Sequence, residues 1–252
     1  MMAPMPSSLR AAGIRAVLLD IEGTTTPIAF VHTVLFPYAR ARLGAFLASG
    51  PPQEIAEVAR RLADEHAAGA GGTDAPPPLA PAGAAAWHAS AVRYALWLMD
   101  RDRKSPGLKL LQGLIWERGY QAGELRGQVF DDVPAALRRW HAAGLTIAIY
   151  SSGSELAQRR LFESTPHGNL AALMSGFFDT AVGPKTSAAS YLAIARRLDL
   201  EPAAVWFVSD VTRELDAARM AGLRVALSVR PGNPPQAAHD VEVVTAFDGI
   251  DA

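Results

Sequence analysis

The sequence predicts an α/β protein: a doubly wound, mostly parallel sheet with helices on both faces and an all-helical insert behind its first strand. Three observations predict it. Short, continuously apolar runs alternate with helical patterns, as in βαβ units. Several of these runs stop abruptly at polar or acidic residues. More than a hundred residues between the first and second runs carry helical spacing only.

The first strand is Ala16–Leu19, short, branched and apolar throughout, which suits a strand buried on both faces. It ends at Asp20-Ile21-Glu22-Gly23 and a run of threonines. Helical spacing follows over Phe30–Phe46. Gln53–His66 is a charged amphipathic helix, and Pro51-Pro52 suits its start. Residues 67–86 are rich in Ala, Gly and Pro and read as a mobile surface loop. Ala84–Met99 and Leu108–Arg118 are helical again. Trp87, Trp97 and Trp116 are placed to fill the core of this insert.

The second strand is Leu145–Tyr150, followed by Ser151-Ser152-Gly153-Ser154 and a helix over Glu155–Phe162. A weaker strand, Phe177–Val182, precedes a helix around Ala188–Leu198. Ala204–Val208 is the fourth, ending at Ser209-Asp210 before a helix over Arg213–Ala221. Arg224–Val229 and Val241–Thr245 complete the set. The division expected is a core of 1–29 and 127–252 and a helical insert of 30–126. Right-handed crossovers bring all strand C-termini to one edge, where open α/β sheets place their ligands.

Bulk properties narrow the function. The chain has 252 residues, half of them hydrophobic, and a formal net charge of −1. A nucleic-acid binder needs a basic face, and the balance here gives no support to one. No apolar run is long enough to span a bilayer, and Met1–Arg10 does not read as a leader. With no cysteine, disulfides and thiolate metal sites are excluded, which fits a cytoplasmic protein. The six histidines are dispersed and form no close ligand pair. No heptad seam is present, and a monomer is expected.

Four groups are expected at the shared edge: Asp20 with Glu22, Ser151 with Ser152, Lys185, and Asp210 with Glu214 and Asp216 close behind. They suit phosphoryl transfer. A carboxylate attacking a phosphate dianion meets repulsion of about 4 kcal/mol per unit charge pair at 4 Å and an effective dielectric of 20. The site must therefore supply positive charge. Asp20 and Asp210 offer hard oxygens for Mg²⁺, and Lys185 is a second, point-like cation. Ser151 or Ser152 can donate to phosphate oxygens, helped by N–H groups opening the next helix. Taken alone, each piece has an ordinary reading as turn former, helix cap or solvated lysine. Their chain order, each at a strand end, singles them out.

Asp20-Ile-Glu-Gly-Thr, Ser151-Ser152, Lys185 and Val208-Ser-Asp210 resemble the four motifs of the haloacid dehalogenase-like hydrolases. The chain is similar to one branch in particular, the enolase-phosphatases of methionine salvage. Pro27-Ile28, Leu35-Phe36-Pro37-Tyr38, the stretch Leu108–Trp116, Gly119-Tyr120, Phe178-Asp-Thr180, Ser190-Tyr191 and Asp210–Ala218 carry that likeness over nearly the whole length. Glu22 is its most specific piece, since most phosphatases of the wider superfamily have Asp there. Asn169 departs from the acid expected after His167-Gly168, at a position expected outside the site.

The resemblance implies a Mg²⁺-dependent enzyme, one ion per subunit. Its substrate would be the phosphate ester 2,3-diketo-5-methylthiopentyl-1-phosphate, enolised and then dephosphorylated to the acireductone 1,2-dihydroxy-3-keto-5-methylthiopentene. Asp20 would be nucleophile and metal ligand. Glu22 would protonate the leaving oxygen, with its backbone carbonyl on the metal. Asp210 would complete the metal site, and Ser151, Ser152 and Lys185 would hold substrate oxygens. The insert would act as a cap, with Phe30, Leu35, Phe36 and Trp116 as candidates to line a pocket for the methylthio tail. The enolisation base stays open between Glu22 and an enolate held by Lys185. The alternatives are a phosphatase of another small ester and a non-catalytic phospholigand binder on the same fold.

Overall fold

The computed structural model describes residues 8–69, 74–236 and 240–252. The expectation about a leader falls mostly on residues outside that set. The strands are β1 (Ala16–Leu19), β2 (Thr146–Tyr150), β3 (Gly176–Phe178), β4 (Val205–Ser209), β5 (Arg224–Ser228) and β6 (Glu242–Val244). The helices are α1 (Ile28–Phe30), α2 (Phe36–Ser49), α3 (Pro52–Ala68), α4 (Trp87–Asp100), α5 (Pro106–Gln121), α6 (Val133–Ala142), α7 (Glu155–Glu163), α8 (Ala188–Arg197) and α9 (Thr212–Met220). They fall into two compact units, Met1–Val31 with Leu125–Ala252, and His32–Glu124.

The first unit holds one six-stranded sheet in the order β3-β2-β1-β4-β5-β6. Every neighbouring pair is parallel. β1 lies inside the sheet, with Leu19 in register with Ile149 on one side and Val208 on the other. All four of its residues are fully buried, which is why it reads as unbroken apolar sequence. Alternation sorts the side chains. Ala16, Leu18, Tyr150 and Phe207 join one cluster with Tyr191 and Ile194 of α8 and Leu215 and Ala218 of α9. Elsewhere in the unit Trp140 of α6 meets Trp206 of β4 edge-on, ring centroids 6.2 Å apart, and Phe247 at 5.2 Å.

Three features differ from the sequence expectation. Helix α6 is unforeseen, although Val133, Ala136, Leu137 and Trp140 form an apolar stripe at i, i+3, i+4, i+7 and are all buried. Its ten residues lie in the part assigned to the α/β core, 127–252, where the sequence reading places no helix before the second strand. β3 ends at Phe178 rather than Val182. There Asp179 Oδ1 accepts from the Ala181 N–H at 2.7 Å, which curls the chain out of the sheet. The helical pattern of Phe30–Phe46 is three pieces, α1, a π-helical turn over Val31–Leu35, and α2.

The second unit buries Leu43, Leu62, Trp87, Ala91, Tyr94, Leu98, Leu111 and Ile115 together, with Trp97 and Trp116 packed at the margin. Trp116 Nε1 donates to the Leu35 carbonyl at 2.7 Å, and its ring lies 6.1 Å from that of Phe36. The loop read as mobile begins later than expected, because α3 runs to Ala68. From residue 74 onward it is tethered. Asp74 pairs with Arg101 at 2.8 Å and Arg103 at 3.0 Å. His66 Nε2 donates to the Pro77 carbonyl at 2.9 Å, and Ala80 N–H donates to Ser90 Oγ at 3.0 Å. Residues 70–73 lie outside the described set.

α5 starts on a built cap. Ser105 Oγ accepts from the Leu108 N–H at 2.9 Å and donates to Glu65 of α3, whose other oxygen accepts from the Gly107 N–H at 2.6 Å. Ser105→Ala orphans that N–H and one carboxylate oxygen. The expected loss is about 1–2 kcal/mol in a denaturant titration; an unchanged midpoint would show that the cap adds nothing.

Candidate active site

Asp20 is the first residue past β1 and Asp210 the first past β4. These strands are neighbours on the two sides of the point where the chain order reverses, the position where open α/β sheets bind ligands. Lys185 reaches the same place from the loop after β3, and Glu214 from the first turn of α9. Lys185 Nζ lies 2.7 Å from Asp20 Oδ2 and 2.6 Å from Glu214 Oε2, with 9% of its side chain exposed. Residues from three distant parts of the sequence thus meet on one ammonium group. Ser209 sits between the two acids, its Oγ 3.0 Å from Asp20 Oδ2 and 2.9 Å from Glu214 Oε2. Asp20 Oδ1 accepts from the Ile21 N–H at 2.7 Å, so the carboxylate is fixed at both oxygens.

The charges do not balance. Burial pushes the Asp210 carboxyl up to about 7, and the negative charges of Asp20 and Glu22 add to it while Lys185 opposes. Glu214 is likewise raised to about 7, by burial and then by Asp20, against the pull of Lys185. Burial alone would lower Lys185, but Asp20 and Glu214 overcome it and carry the amine up to about 12. Among the described residues Lys185 pairs with two of these acids, and the raised Asp210 and Glu214 carboxyls mark an environment that favours another positive charge.

Backbone approach explains the glycine. Gly23 has φ +65°, and a Cβ there would lie 2.3 Å from Asp210 Oδ2 and 2.9 Å from Asn233 Oδ1. Only a residue without a side chain lets this turn run against the Asp210 carboxylate. The turn is held from the end of β5 and the loop just beyond it. Ser228 Oγ and Asn233 Nδ2 both donate to the Gly23 carbonyl at 2.9 Å, and Arg230 Nε donates to the Thr24 carbonyl at 3.1 Å. Arg230 is itself buried, paired with Asp132 at 2.8 Å and packed between the rings of Phe130 and Phe247.

Asp20 and Asp210 fit a magnesium ion by their chemistry. Among the described residues no three His, Cys, Asp or Glu side chains form a cage for a cation. Mg²⁺ does not need one: it takes one or two carboxylates, fills its other positions with water or substrate phosphate, and accepts a backbone carbonyl.

The turn after β2 carries its helix cap on its last serine. Ser154 caps α7, accepting from the Ala157 N–H at 3.2 Å, so Ser151 and Ser152 are not needed for that task. Ser151 is buried and its N–H donates to the Phe178 carbonyl at 3.1 Å; Ser152 is exposed beside it. Gln158 Nε2 binds the carbonyls of Gly153 and Phe178 at 2.9 and 2.8 Å and ties the turn to β3. Glu22 is half-buried in the turn after Asp20. Asp216 stands apart: it lies on the outer face of α9, half exposed, 3.2 Å from Arg219. Asn169 caps the short helix over Leu170–Leu173 instead of entering the site.

Sequence reasoning did not single out Gln158, Ser209 as a bridge, Ser228, Arg230 or Asn233. The contacts of the last three with the Gly23–Thr24 turn span more than two hundred positions in the chain, and no local pattern marks them.

A family model described as haloacid dehalogenase-like hydrolase matches residues 14–222. The chain belongs to that family. It is 49% identical over 98% of its length to the whole of an enolase-phosphatase E1 from Synechococcus elongatus. It is 45% identical over 94% of its length to 47% of a Populus trichocarpa protein named as a probable bifunctional methylthioribulose-1-phosphate dehydratase/enolase-phosphatase E1. The crystal structure of the UTR4 protein of Saccharomyces cerevisiae superposes with a TM-score of 0.74 at 30% identity, over 93% of this chain and 99% of that one. Within the hydrolases, the chain is a member of the enolase-phosphatase E1 family.

Proposed function

We propose that this enzyme uses Mg²⁺ to enolise 2,3-diketo-5-methylthiopentyl-1-phosphate and then to remove its phosphate, releasing the acireductone. The observation that carries the reading is the placement of Lys185 Nζ between Asp20 and Glu214 at 2.7 and 2.6 Å. It supports Asp20 as the nucleophilic carboxylate and Lys185 as the cation that answers phosphate, since the two lie side by side at the sheet edge. The Populus relative, whose name joins a methylthioribulose-1-phosphate dehydratase to the same activity, supports a phosphorylated methylthio sugar derivative as the source of the substrate.

Magnesium, bound through Asp20, Asp210 and the Glu22 carbonyl, would lower the charge on the phosphate and polarise the substrate's oxygens. Asp20 Oδ2 is the attacking atom and becomes the aspartyl phosphate when the ester P–O bond breaks. Water, giving its proton to the carboxylate that protonated the leaving oxygen, then attacks phosphorus, breaks the acyl-phosphate P–O bond and returns free Asp20 and inorganic phosphate. The Ile21 N–H holds the other Asp20 oxygen and so fixes the direction of attack. Lys185 neutralises Asp20 before attack and is at hand for a phosphate oxygen afterwards. Ser151 and Ser152 donate to substrate oxygens. Glu22 gives the leaving oxygen its proton, and its extra methylene relative to Asp extends its reach to the enol. The helical unit takes the part of a cap, and the protein works as a cytoplasmic monomer.

The test is incubation with the diketo phosphate and Mg²⁺, following the ultraviolet absorbance of enol species together with phosphate release. Both signals should rise in the wild type and vanish in Asp20→Asn. Phosphate without any enol signal would reduce the enzyme to a general phosphatase. Glu22→Asp should slow both steps; wild-type rates for both would remove Glu22 from the chemistry.

A further inference from the structure

The loop that delivers Lys185 has an unusual backbone. Three consecutive carbonyls, those of Gly183, Pro184 and Lys185, each accept a proton from a side-chain hydroxyl. Tyr150 Oη donates to Gly183 at 2.9 Å, Ser190 Oγ to Pro184 at 2.8 Å and Tyr191 Oη to Lys185 at 2.7 Å. Loops ordinarily leave such groups to water. The donors are rigid, since Tyr150 ends β2 and Ser190 and Tyr191 lie in the first turn of α8, and all three residues are buried. The two phenol rings brace each other edge-on at 5.5 Å. Lys185 Nζ then passes 5.7 Å from the centre of the Tyr150 ring. Gly183 has φ +137°, and a Cβ on it would stand 2.3 Å from Ser190 Oγ, so the loop approaches α8 as closely as backbone allows.

From this geometry we infer that Tyr150, Ser190 and Tyr191 are a three-hydroxyl clamp that aims Lys185, and that they are positioning residues for the reaction proposed above. The physical need is plain. A lysine stem has four rotatable methylenes and many rotamers. An amine that must serve two carboxylates at hydrogen-bond distance has to start from a fixed Cα. The clamp fixes the three carbonyls at the base of that stem, and the carboxylates fix its tip.

The clamp predicts a measurable release of the amine. In the full-length protein, Lys185 acylation by an amine-reactive succinimidyl ester is followed by peptide mass spectrometry, alongside thermal denaturation. Tyr191→Phe and Ser190→Ala should each speed labelling of Lys185 about fivefold, the factor by which losing one hydrogen bond shifts a local equilibrium. Thr165→Val is the comparison, because it also deletes a buried hydroxyl-to-carbonyl bond, Thr165 to Gly168 at 2.7 Å. It should cost similar thermal stability and leave Lys185 labelling at the wild-type rate. With the diketo phosphate, the two clamp variants should lose about tenfold or more in kcat with little change in KM, as misplacement of a catalytic group does.

Unchanged Lys185 labelling in both clamp variants, or equal acceleration in Thr165→Val, would overturn the clamp and leave the hydroxyls as ordinary core hydrogen bonds. Labelling needs neither substrate nor metal. A wild-type protein inert toward the diketo phosphate but with released lysine in the variants would sink the proposed reaction and keep the clamp.

Discussion

Lys185→Met is expected to abolish phosphate release, with a loss of about 10²- to 10³-fold, the usual effect of removing a preorganised charge that stabilises a transition state. Methionine matches the length of the lysine stem and removes only the cation. What remains is Asp20 and Glu214 facing each other, both nearly buried. Breaking a buried ion pair from one side costs about 3–5 kcal/mol. The cost here should fall at the lower end, because Glu214 already stands at about 7 and can take up a proton when the amine is gone. Denaturant titration near neutral pH and phosphate release from the diketo ester measure the two effects. Lys185→Arg should not rescue activity, since a planar fork cannot occupy the space of an ammonium held between two carboxylates and Ser209. Full turnover by either variant would take the amine out of the reaction.

Gly23→Ala is the second large effect. The added methyl would lie 2.3 Å from an oxygen of Asp210 and 2.6 Å from its Cγ, on a backbone with φ +65°. The left-handed conformation alone costs an alanine about 1 kcal/mol. The collision must be relieved by moving Asp210 or the turn that carries Glu22, and either movement opens the site. Stability should drop by about 2–4 kcal/mol. Magnesium affinity, measured by calorimetry, should weaken at least about tenfold, and activity with it. Gly13→Ala gives the contrast. That residue also has a positive φ, +82°, with nothing within 4 Å of the new methyl. It should show only the conformational cost and full activity. Equal behaviour of the two variants would mean that the close approach to Asp210 has no functional weight.

How much of this was legible in the sequence depended on how local the signal was. β1, β2, β4 and β5 were read to within a residue or so at their ends, because a strand buried on both faces must be apolar throughout and must stop where its edge meets solvent and ligand. That same stop located Asp20, Ser151 and Asp210. Lys185 was harder, since a Pro-Lys in a loop is ordinary, and only the order of the four pieces and the family likeness raised it. Val182 misled the reading of β3: it is apolar and packs at the edge of the core, but it does so from a turn. α6 was missed although its apolar stripe is plain, because its ten residues fall between the insert and the second strand, where no element was assigned. The tether of residues 74–86 was invisible for another reason. Composition reports what a segment lacks, whereas Asp74, Pro77 and Ala80 are held by a few specific contacts to α3, α4 and the residues just beyond α4. Tyr150 was read as the end of a strand and Ser190-Tyr191 as part of the family likeness; what they do for the lysine shows only once three carbonyls are seen in a row.

The strand at the heart of the sheet is also the first to leave the ribosome. β1 pairs with β2 and β4, and the whole of His32–Glu124 is synthesised before either exists. The nascent chain therefore carries an unsatisfied, water-averse ribbon while the whole helical unit is made, and that unit, whose contacts lie within its own residues, is free to fold ahead of it. The meeting of Asp20 and Asp210 waits until β4 has been made, well after the helical unit is complete.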